Sequence, residues 1–371
     1  VRAKLIAWFN SHARTLPWRQ SNDPYRIWIS EIMLQQTQVA TVIPYYERFL
    51  QSFPTVKDLA SADEQQLLKH WEGLGYYRRA RSMHQAARLI VEKYAGNFPS
   101  DYESVIALPG IGRYTAGAIL SIANDQRFPI LEGNTVRVFS RWIALESPPT
   151  QTDANRLLWR VAEAMLPKRR AAATGAGTFN QAAMELGALL CTPQNPSCTA
   201  CPVKGLCRAH RHGLQAQIPG KVTNIRYESR DEFVLVISDS PGEPDSPEEH
   251  CSTPGEVTYL IRPLPQGGRW AGLWDFPRTS AESLDSVQTA AEQLSEAIGR
   301  PVSAGMHLKT FNHAVTKYRI KLHVHAAAMA GESDLSAPWR FATLTEMAKL
   351  PMSVTGRKIT DFLASSRQAS P

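Results

Sequence analysis

Leu108-Pro109-Gly110-Ile111-Gly112, running on into Arg113-Tyr114-Thr115-Ala116, decides how the N-terminal part of this chain folds. It reads as a tight turn between two helices, Asp101 to Ala107 before it and the small-residue run Tyr114 to Ala123 after it. Two glycines behind a proline let the backbone reverse abruptly with its N–H groups turned outward. The helix that follows adds unpaired donors and the positive end of its dipole. Such a turn grips a phosphate without a charged side chain. An ordinary helix–helix turn, with glycines for close packing, is the alternative.

Upstream, Ala3 to Ala13 is a short helical run ending in Leu16-Pro17-Trp18-Arg19, and Pro24 opens a helical pattern through about Phe49. On that pattern Ile29, Ile32, Met33 and Ala40 form an apolar side. Glu31, Gln35, Gln38 and Val42 recur at i, i+4, i+7 and i+11, so Glu31 begins a largely polar edge. Position alone makes it a solvated or capping group. Helices continue over 54–98, with Gly73-Leu74-Gly75-Tyr76-Tyr77-Arg78-Arg79 as a second glycine-rich turn, either a backbone-contacting loop or a plain turn with a basic face.

Downstream, Ile130-Leu131 gives way to Glu132-Gly133-Asn134 and a helix from Thr135 to Ala144. A carboxylate and an amide therefore stand at a helix start, where both could simply cap it. Pro148 to Leu166 and Phe179 to Leu190 are further helices, split by a flexible stretch from Ala171 to Gly177. Then four of the five cysteines follow as Cys191-x6-Cys198-x2-Cys201-x5-Cys207. Four thiolates on one short loop suit a single tetrahedral metal or an iron–sulfur cluster. Zinc ribbons usually carry two Cys-x2-Cys hooks and only one is present, so a 4Fe-4S cluster is favoured over zinc.

Composition sets wider bounds. The 371 residues suggest two or three domains, and 43% hydrophobic with 20% charged residues is globular usage. No long apolar run suggests a membrane span and no leader points to secretion, so a cytoplasmic protein is expected. A formal charge of +7 allows a polyanionic partner without demanding one. Gln215 to Tyr227 reads as a linker. Beyond it Phe233 to Ile237, Val257 to Ile261 and the alternating run Tyr318 to Val324 read as strands, with a helix from Ala281 to Ile298. An acidic, proline-rich insert, Asp239 to Glu256, holds Cys251. His323 and His325 fall on the polar face of their strand and read as solvated.

Nearly the whole chain resembles the MutY adenine DNA glycosylases. The match is carried by Leu16 to Arg19, Ser30-Glu31-Ile32-Met33-Leu34-Gln35-Gln36-Thr37-Gln38, Leu108 to Ala116, Asn180-Gln181, the four cysteines and Trp270-Ala271-Gly272-Leu273-Trp274-Asp275-Phe276-Pro277. The resemblance implies an all-α helix–hairpin–helix glycosylase domain over 1–214 with its cluster loop at 191–207. A linker at 215–228 and an α+β Nudix-like domain over 229–366 would follow. The expected partner is double-stranded DNA carrying adenine opposite 8-oxoguanine or guanine, bound by a monomer with no membrane contact.

The resemblance also assigns roles. Glu31 matches the acid that protonates the leaving adenine, which requires a pKa raised by burial. Glu132 is the carboxylate that stabilises the sugar cation, with Asn134 beside it. Gln36 and Leu34 lie on the gap side of an extruded base, while Trp18, Arg19 and Gln181 line the adenine pocket. Pro109, Gly110 and Gly112 face the DNA backbone. Tyr114 stands where bifunctional relatives such as endonuclease III place a lysine nucleophile, so base removal without strand cleavage is expected. Phe311-Asn312-His313 corresponds to a Phe-Ser-His loop that contacts 8-oxoguanine.

Three departures from the family stand out. Glu132 replaces an aspartate, leaving either a re-fitted enzyme or a weakened one that still binds lesions. Asn312 replaces a serine. Glu292-Gln293 and Glu296-Ala297 leave the Nudix acidic cluster incomplete, so the tail should not hydrolyse nucleotides.

Overall fold

A computed structural model of the chain describes residues 1–168, 173–220, 227–239, 256–279, 286–315, 317–331 and 335–368. The chain divides into two compact units, Val1–Ala62 with Arg78–Thr223, and Asp63–Tyr77 with Asn224–Pro371. No helix among the described residues is long and apolar enough to cross a membrane.

The first unit is helical: α1 (Arg2–His12), α2 (Pro24–Leu34), α3 (Val39–Ser52) and α4 (Val56–Ser61). After α5 (Glu64–Trp71), which groups with the second unit, come α6 (Arg78–Tyr94), α7 (Tyr102–Ile106), α8 (Arg113–Asn124) and α9 (Gly133–Ile143). Helices α10 (Thr152–Met165), α11 (Ala176–Leu189) and the short α12 (Arg208–Arg211) complete it. The expected hairpin joins α7 to α8. Gly110 turns it at φ +78°, a left-handed conformation that L side chains rarely adopt. Gly112 caps α8 with no side-chain acceptor, so the first-turn N–H groups are left for an outside partner.

The pattern read as one helix from Pro24 to Phe49 is two helices. α2 stops at Leu34, Gln36 takes φ +56°, and α3 begins at Val39. The apolar spacing runs on across the break, so periodicity alone does not reveal it. Around the cysteine loop, Leu5 and Phe9, Val138 and Phe139, Leu158, Phe179 and Leu186 make one buried cluster from α1, α9, α10 and α11, and Cys191, Cys201 and Cys207 pack against it.

The second unit is α+β. Strands β1 (Glu228–Asp239), β2 (Thr258–Pro263), β3 (Trp274–Asp275), β4 (Arg278–Thr279), β5 (Val302–Val315), β6 (Tyr318–Met329) and β7 (Arg340–Thr343) form one sheet. Its main order is β3-β2-β1-β6-β5, with β1 and β6 parallel and β5 antiparallel to β6. Helix α13 (Val287–Ile298) covers one face over Leu235, Ile237 and Leu260. On the other face α14 (Leu344–Lys349) and α15 (Val354–Gln368) bring Met347 and Ile359 against Val234, Val236, Leu322 and Val324. The α5 segment joins this unit through Gln65, whose amide spans Gly272 O (3.2 Å) and Trp274 Nε1 (3.0 Å), and through Glu72, which accepts from Arg357 Nε at 2.7 Å. The sequence reading had left residues 63–77 with the first domain.

Other differences are local. Phe311, Asn312 and His313, read as a loop, lie within β5 and pair with Leu322, Lys321 and Ile320 of β6. β5 is mostly exposed and interrupted by register shifts near His307, so it carries little apolar alternation to read. His323 is not simply solvated, because its Nε2 lies 2.7 Å from Asp231 Oδ1 and its ring stacks on Phe233. Cys251 and most of the acidic insert, residues 281–285 of the expected helix, 171–172 of the flexible stretch and 221–226 of the linker lie outside the described residues.

Under the sheet's β4 edge, Arg278 spans two buried carboxylates, at 3.6 Å from Glu232 and 3.3 Å from Asp275. Arg269 (2.5 Å) and Ser353 (2.6 Å) supply further donors to them. A buried pair that loses one partner keeps an uncompensated charge. Arg278→Met is therefore expected to destabilise the second unit by about 3–5 kcal/mol in urea unfolding, with part of the loss recovered in Arg278→Met/Glu232→Gln.

Candidate active site

A cavity of about 480 Å³ opens among α2, α8, α11 and the N-terminus of α9, with the short turn Pro17–Arg19 on one side. That volume falls within the range of small-molecule sites. Nine side chains picked out in the sequence line it: Trp18, Arg19, Glu31, Leu34, Gln36, Tyr114, Glu132, Asn134 and Gln181. Pro109, Gly110 and Gly112 are at the hairpin and do not line it. Phe311, Asn312 and His313 belong to the second unit.

Glu31 sits in the last turn of α2 and is buried, not on a solvated edge. Burial lifts its pKa to about 7; the Tyr114 hydrogen bond and Arg19 pull it down, and Glu132 pushes it up. Tyr114 Oη donates to Glu31 Oε2 at 2.5 Å, which leaves Oε1 as the oxygen able to carry a proton into the cavity. Around neutral pH this carboxyl is divided between acid and anion, the condition a general acid needs. Tyr114 itself is held far above its ordinary pKa by burial and by the two glutamates, so it remains a neutral donor.

Glu132 does cap α9, as its position allowed. Its Oε1 accepts from Thr135 N (2.9 Å) and its Oε2 from Asn134 N (2.8 Å) and Asn134 Nδ2 (3.2 Å), while Thr135 Oγ1 accepts from Glu132 N. Glutamate is an uncommon residue for this task. Burial raises its pKa, and the N–H groups of Asn134 and Thr135 with Arg137 oppose that rise by favouring the anion. Capping and cavity lining are therefore one arrangement.

Arg137 was not singled out in the sequence, yet it sets this corner. Its Nη2 donates to Asn134 Oδ1 (2.9 Å) and Gly187 O (2.7 Å), and its Nε to Cys191 O (2.6 Å). Asn134 is thereby oriented with its amide N–H toward Glu132. Gly187 makes the approach of α11 feasible, since a Cβ there would lie 2.7 Å from Asn134 Cβ. Arg14 and Glu185 were missed as well. Glu185 accepts from Arg14 N, Nε and Nη2 (2.9, 2.8 and 2.7 Å) and from Arg19 Nη2 (2.9 Å). Burial works to raise its pKa, but these donors hold it at about 2. Arg14 and Glu185 are separated by 171 positions, so no sequence pattern links them.

The four cysteines border a second, small cavity with Arg141 and Lys204 beside them. Arg141 is buried, donates to Cys191 Sγ at 3.3 Å and accepts from Cys207 Sγ through its carbonyl at 3.4 Å. Among the described residues, no three histidine, cysteine or acidic side chains converge as one bound ion requires. Four thiols on one short loop, with a buried guanidinium at one sulfur, suit an anionic iron–sulfur cluster.

Comparison with known proteins agrees with this geometry. Residues 29–164 match the HhH-GPD superfamily of base excision DNA repair proteins, 254–361 a NUDIX domain, and 191–207 the iron-sulfur binding domain of endonuclease III. The chain thus carries a 4Fe-4S cluster, and the matched segment is the one that contains the four cysteines. An adenine DNA glycosylase of Mus musculus is 35% identical over 100% of this chain and 79% of its own length. One of Homo sapiens is 35% identical over 90% of this chain and 68% of its own. A solved thermostable thymine-DNA glycosylase superposes with a TM-score of 0.51 at 27% identity, covering 57% of this chain and 94% of that one.

Arg137→Gln would leave Cys191 O and Gly187 O without their donor and Asn134 free to rotate. Loss of a charged hydrogen-bonding group in a half-buried site should lower unfolding stability by about 2 kcal/mol, with a reduced iron content per chain by elemental analysis.

Proposed function

The chain belongs to the adenine DNA glycosylases, and from that premise we propose that it hydrolyses the N-glycosidic bond of adenine opposite 8-oxoguanine or guanine in double-stranded DNA. The observation that carries the reading is the shared cavity of Glu31 and Glu132, with Tyr114 hydrogen-bonded to Glu31. Glycosidic cleavage leaves negative charge on the departing base and cationic character on the sugar. Glu31, protonated on Oε1, supplies a proton to a ring nitrogen of the adenine. Glu132, whose anion three N–H groups favour against the burial that raises its pKa, faces the developing sugar cation, and Asn134 keeps its orientation.

Base extrusion costs a few kcal/mol, offset by contacts in the pocket and by filling the gap. Arg19 and Glu185 offer fixed, oppositely charged polar groups to the edge of the base, with Arg14 locking the pair. Trp18 and Gln181 complete the pocket wall. Gln36 and Leu34 take the gap side, and the uncapped turn at Pro109, Gly110 and Gly112 receives a backbone phosphate. Among the described residues no lysine lines the cavity, which supports base removal without Schiff-base strand cleavage. In the second unit, burial, with Arg278 and Arg269 nearby, holds His313 down to about 4, so it meets a lesion as a neutral imidazole, alongside Phe311 and Asn312. The cluster, when bound, cross-links the 191–207 loop through its four thiolates. A monomer acting on cytoplasmic chromosomal DNA is the working state.

One observation favours a second reading, a weakened enzyme that mainly binds lesions. Both Glu132 oxygens are already engaged by their own helix. Single-turnover adenine release from an A:8-oxoguanine duplex separates the two, and tight binding with no release until Glu132→Asp is introduced would select the second.

On the first reading Glu31→Gln lowers release by about a hundred- to ten-thousand-fold. The acid must be protonated, so the single-turnover rate should fall with rising pH above about 7, the pKa of buried Glu31. A flat profile between pH 6 and 9 would remove Glu31 as the acid.

A further inference from the structure

Helix α2 ends at Leu34. Its cap, Gln35, is extended, and the next residue, Gln36, is exposed and held at φ +56°. The last carbonyls of a helix need partners from elsewhere. Here they come from α6: Arg79 Nη1 donates to Ile32 O (2.7 Å), Met33 O (3.1 Å) and Gln35 O (2.6 Å), and Nη2 reaches Thr37 Oγ1 at 3.5 Å. Arg79 stands in the first turn of its own helix, which has no acidic residue there. A cation is disfavoured at that end and favoured at the C-terminal end of α2, where its guanidinium goes. Two of the residues it binds, Gln35 and Thr37, flank Gln36, and Leu34 to Thr37 line the 480 Å³ cavity.

We propose that Arg79 is a positioning residue for base extrusion: its guanidinium fixes the Leu34–Thr37 rim so that Gln36 stands ready to fill the gap left by the departing base. This rests on the glycosylase reading. All three carbonyls meet the one nitrogen Nη1 while Nη2 turns to Thr37; lysine, with a shorter side chain and a single nitrogen, cannot reach the carbonyls and Thr37 together. The inference separates the two jobs of α2. Glu31 performs chemistry from its last turn, and the segment just beyond it, held by Arg79, performs extrusion.

The test uses the full-length, cluster-loaded protein with Arg79→Lys, and Arg79→Gln as a second variant retaining an N–H donor. Two readouts are taken: 2-aminopurine emission at the target position, which reports unstacking, and single-turnover adenine release. Release is compared between a fully paired duplex and one whose adenine is already unstacked in a single-base bulge. The expected result is a tenfold or greater loss of emission rise and of release on the paired duplex, with release from the bulge within twofold of wild type. The thermal unfolding temperature should fall modestly, because carbonyls at the end of α2 lose a charged donor, with cluster absorbance unchanged. In a Gln36→Ala background, Arg79→Lys should cost nothing further on the paired duplex.

Equal loss on both substrates would show that Arg79 supports Glu31 or the fold at large and overturns the proposal, as would undiminished emission. If the wild-type chain released no adenine from either duplex, the glycosylase reading would fail instead, and the emission arm would still decide for or against Arg79.

Discussion

Desolvation of a single carboxyl, Glu31, is the constraint the first unit is built to meet. A carboxyl exposed to water would be ionised at neutral pH and useless as a proton donor to adenine. Four helices close around it and lift it to about 7, and a neutral tyrosine takes one of its oxygens while leaving the other free. Burial of an acid is costly unless its remaining contacts are satisfied. Tyr114 meets that need with no added positive charge, which would have returned Glu31 to the ionised range.

The second carboxyl is handled by opposite means. Glu132 is also buried, but three N–H donors at a helix N-terminus favour its anion. Burial thus raises both glutamates, with one hydroxyl donor opposing the rise at Glu31 and three N–H donors opposing it at Glu132. The same logic, taken further, gives Glu185 its low pKa beneath two arginines. Three glutamates line one cavity in three protonation environments.

Arginines do the joining. Arg137 ties Asn134 to α11 and to the carbonyl of Cys191, and Arg141, one turn further along α9, reaches the Cys191 sulfur. α9 therefore carries the Glu132 carboxylate at one end and braces the cysteine loop along its side. Arg79 does comparable work at the end of α2. In each case a planar, permanently charged fork satisfies several carbonyls that helix geometry leaves open. In the second unit Arg278 plays the equivalent part between Glu232 and Asp275.

Much of this was legible in the chain itself. The turn at Pro109 to Gly112, the cysteine spacing, the helix start at Glu132 and the strands at Phe233 and Tyr318 are local signals, because turn chemistry, ligand spacing and short-period alternation act over a few residues. The group of side chains that line the cavity was recognisable from family resemblance, residue by residue. What the chain could not declare was decided by contacts between distant segments. The break after Leu34 hides within an unbroken apolar period, and the carbonyls beside it are met by an arginine of another helix. β5 stayed invisible because an exposed strand has no apolar period to show. Glu31 looked solvated and is buried, and Arg14 and Glu185 meet across 171 positions. Spacing reports which face a residue shares with its neighbours in sequence; only tertiary packing decides whether that face meets water or protein, and with it whether a glutamate is an acid, an anion or a clamp.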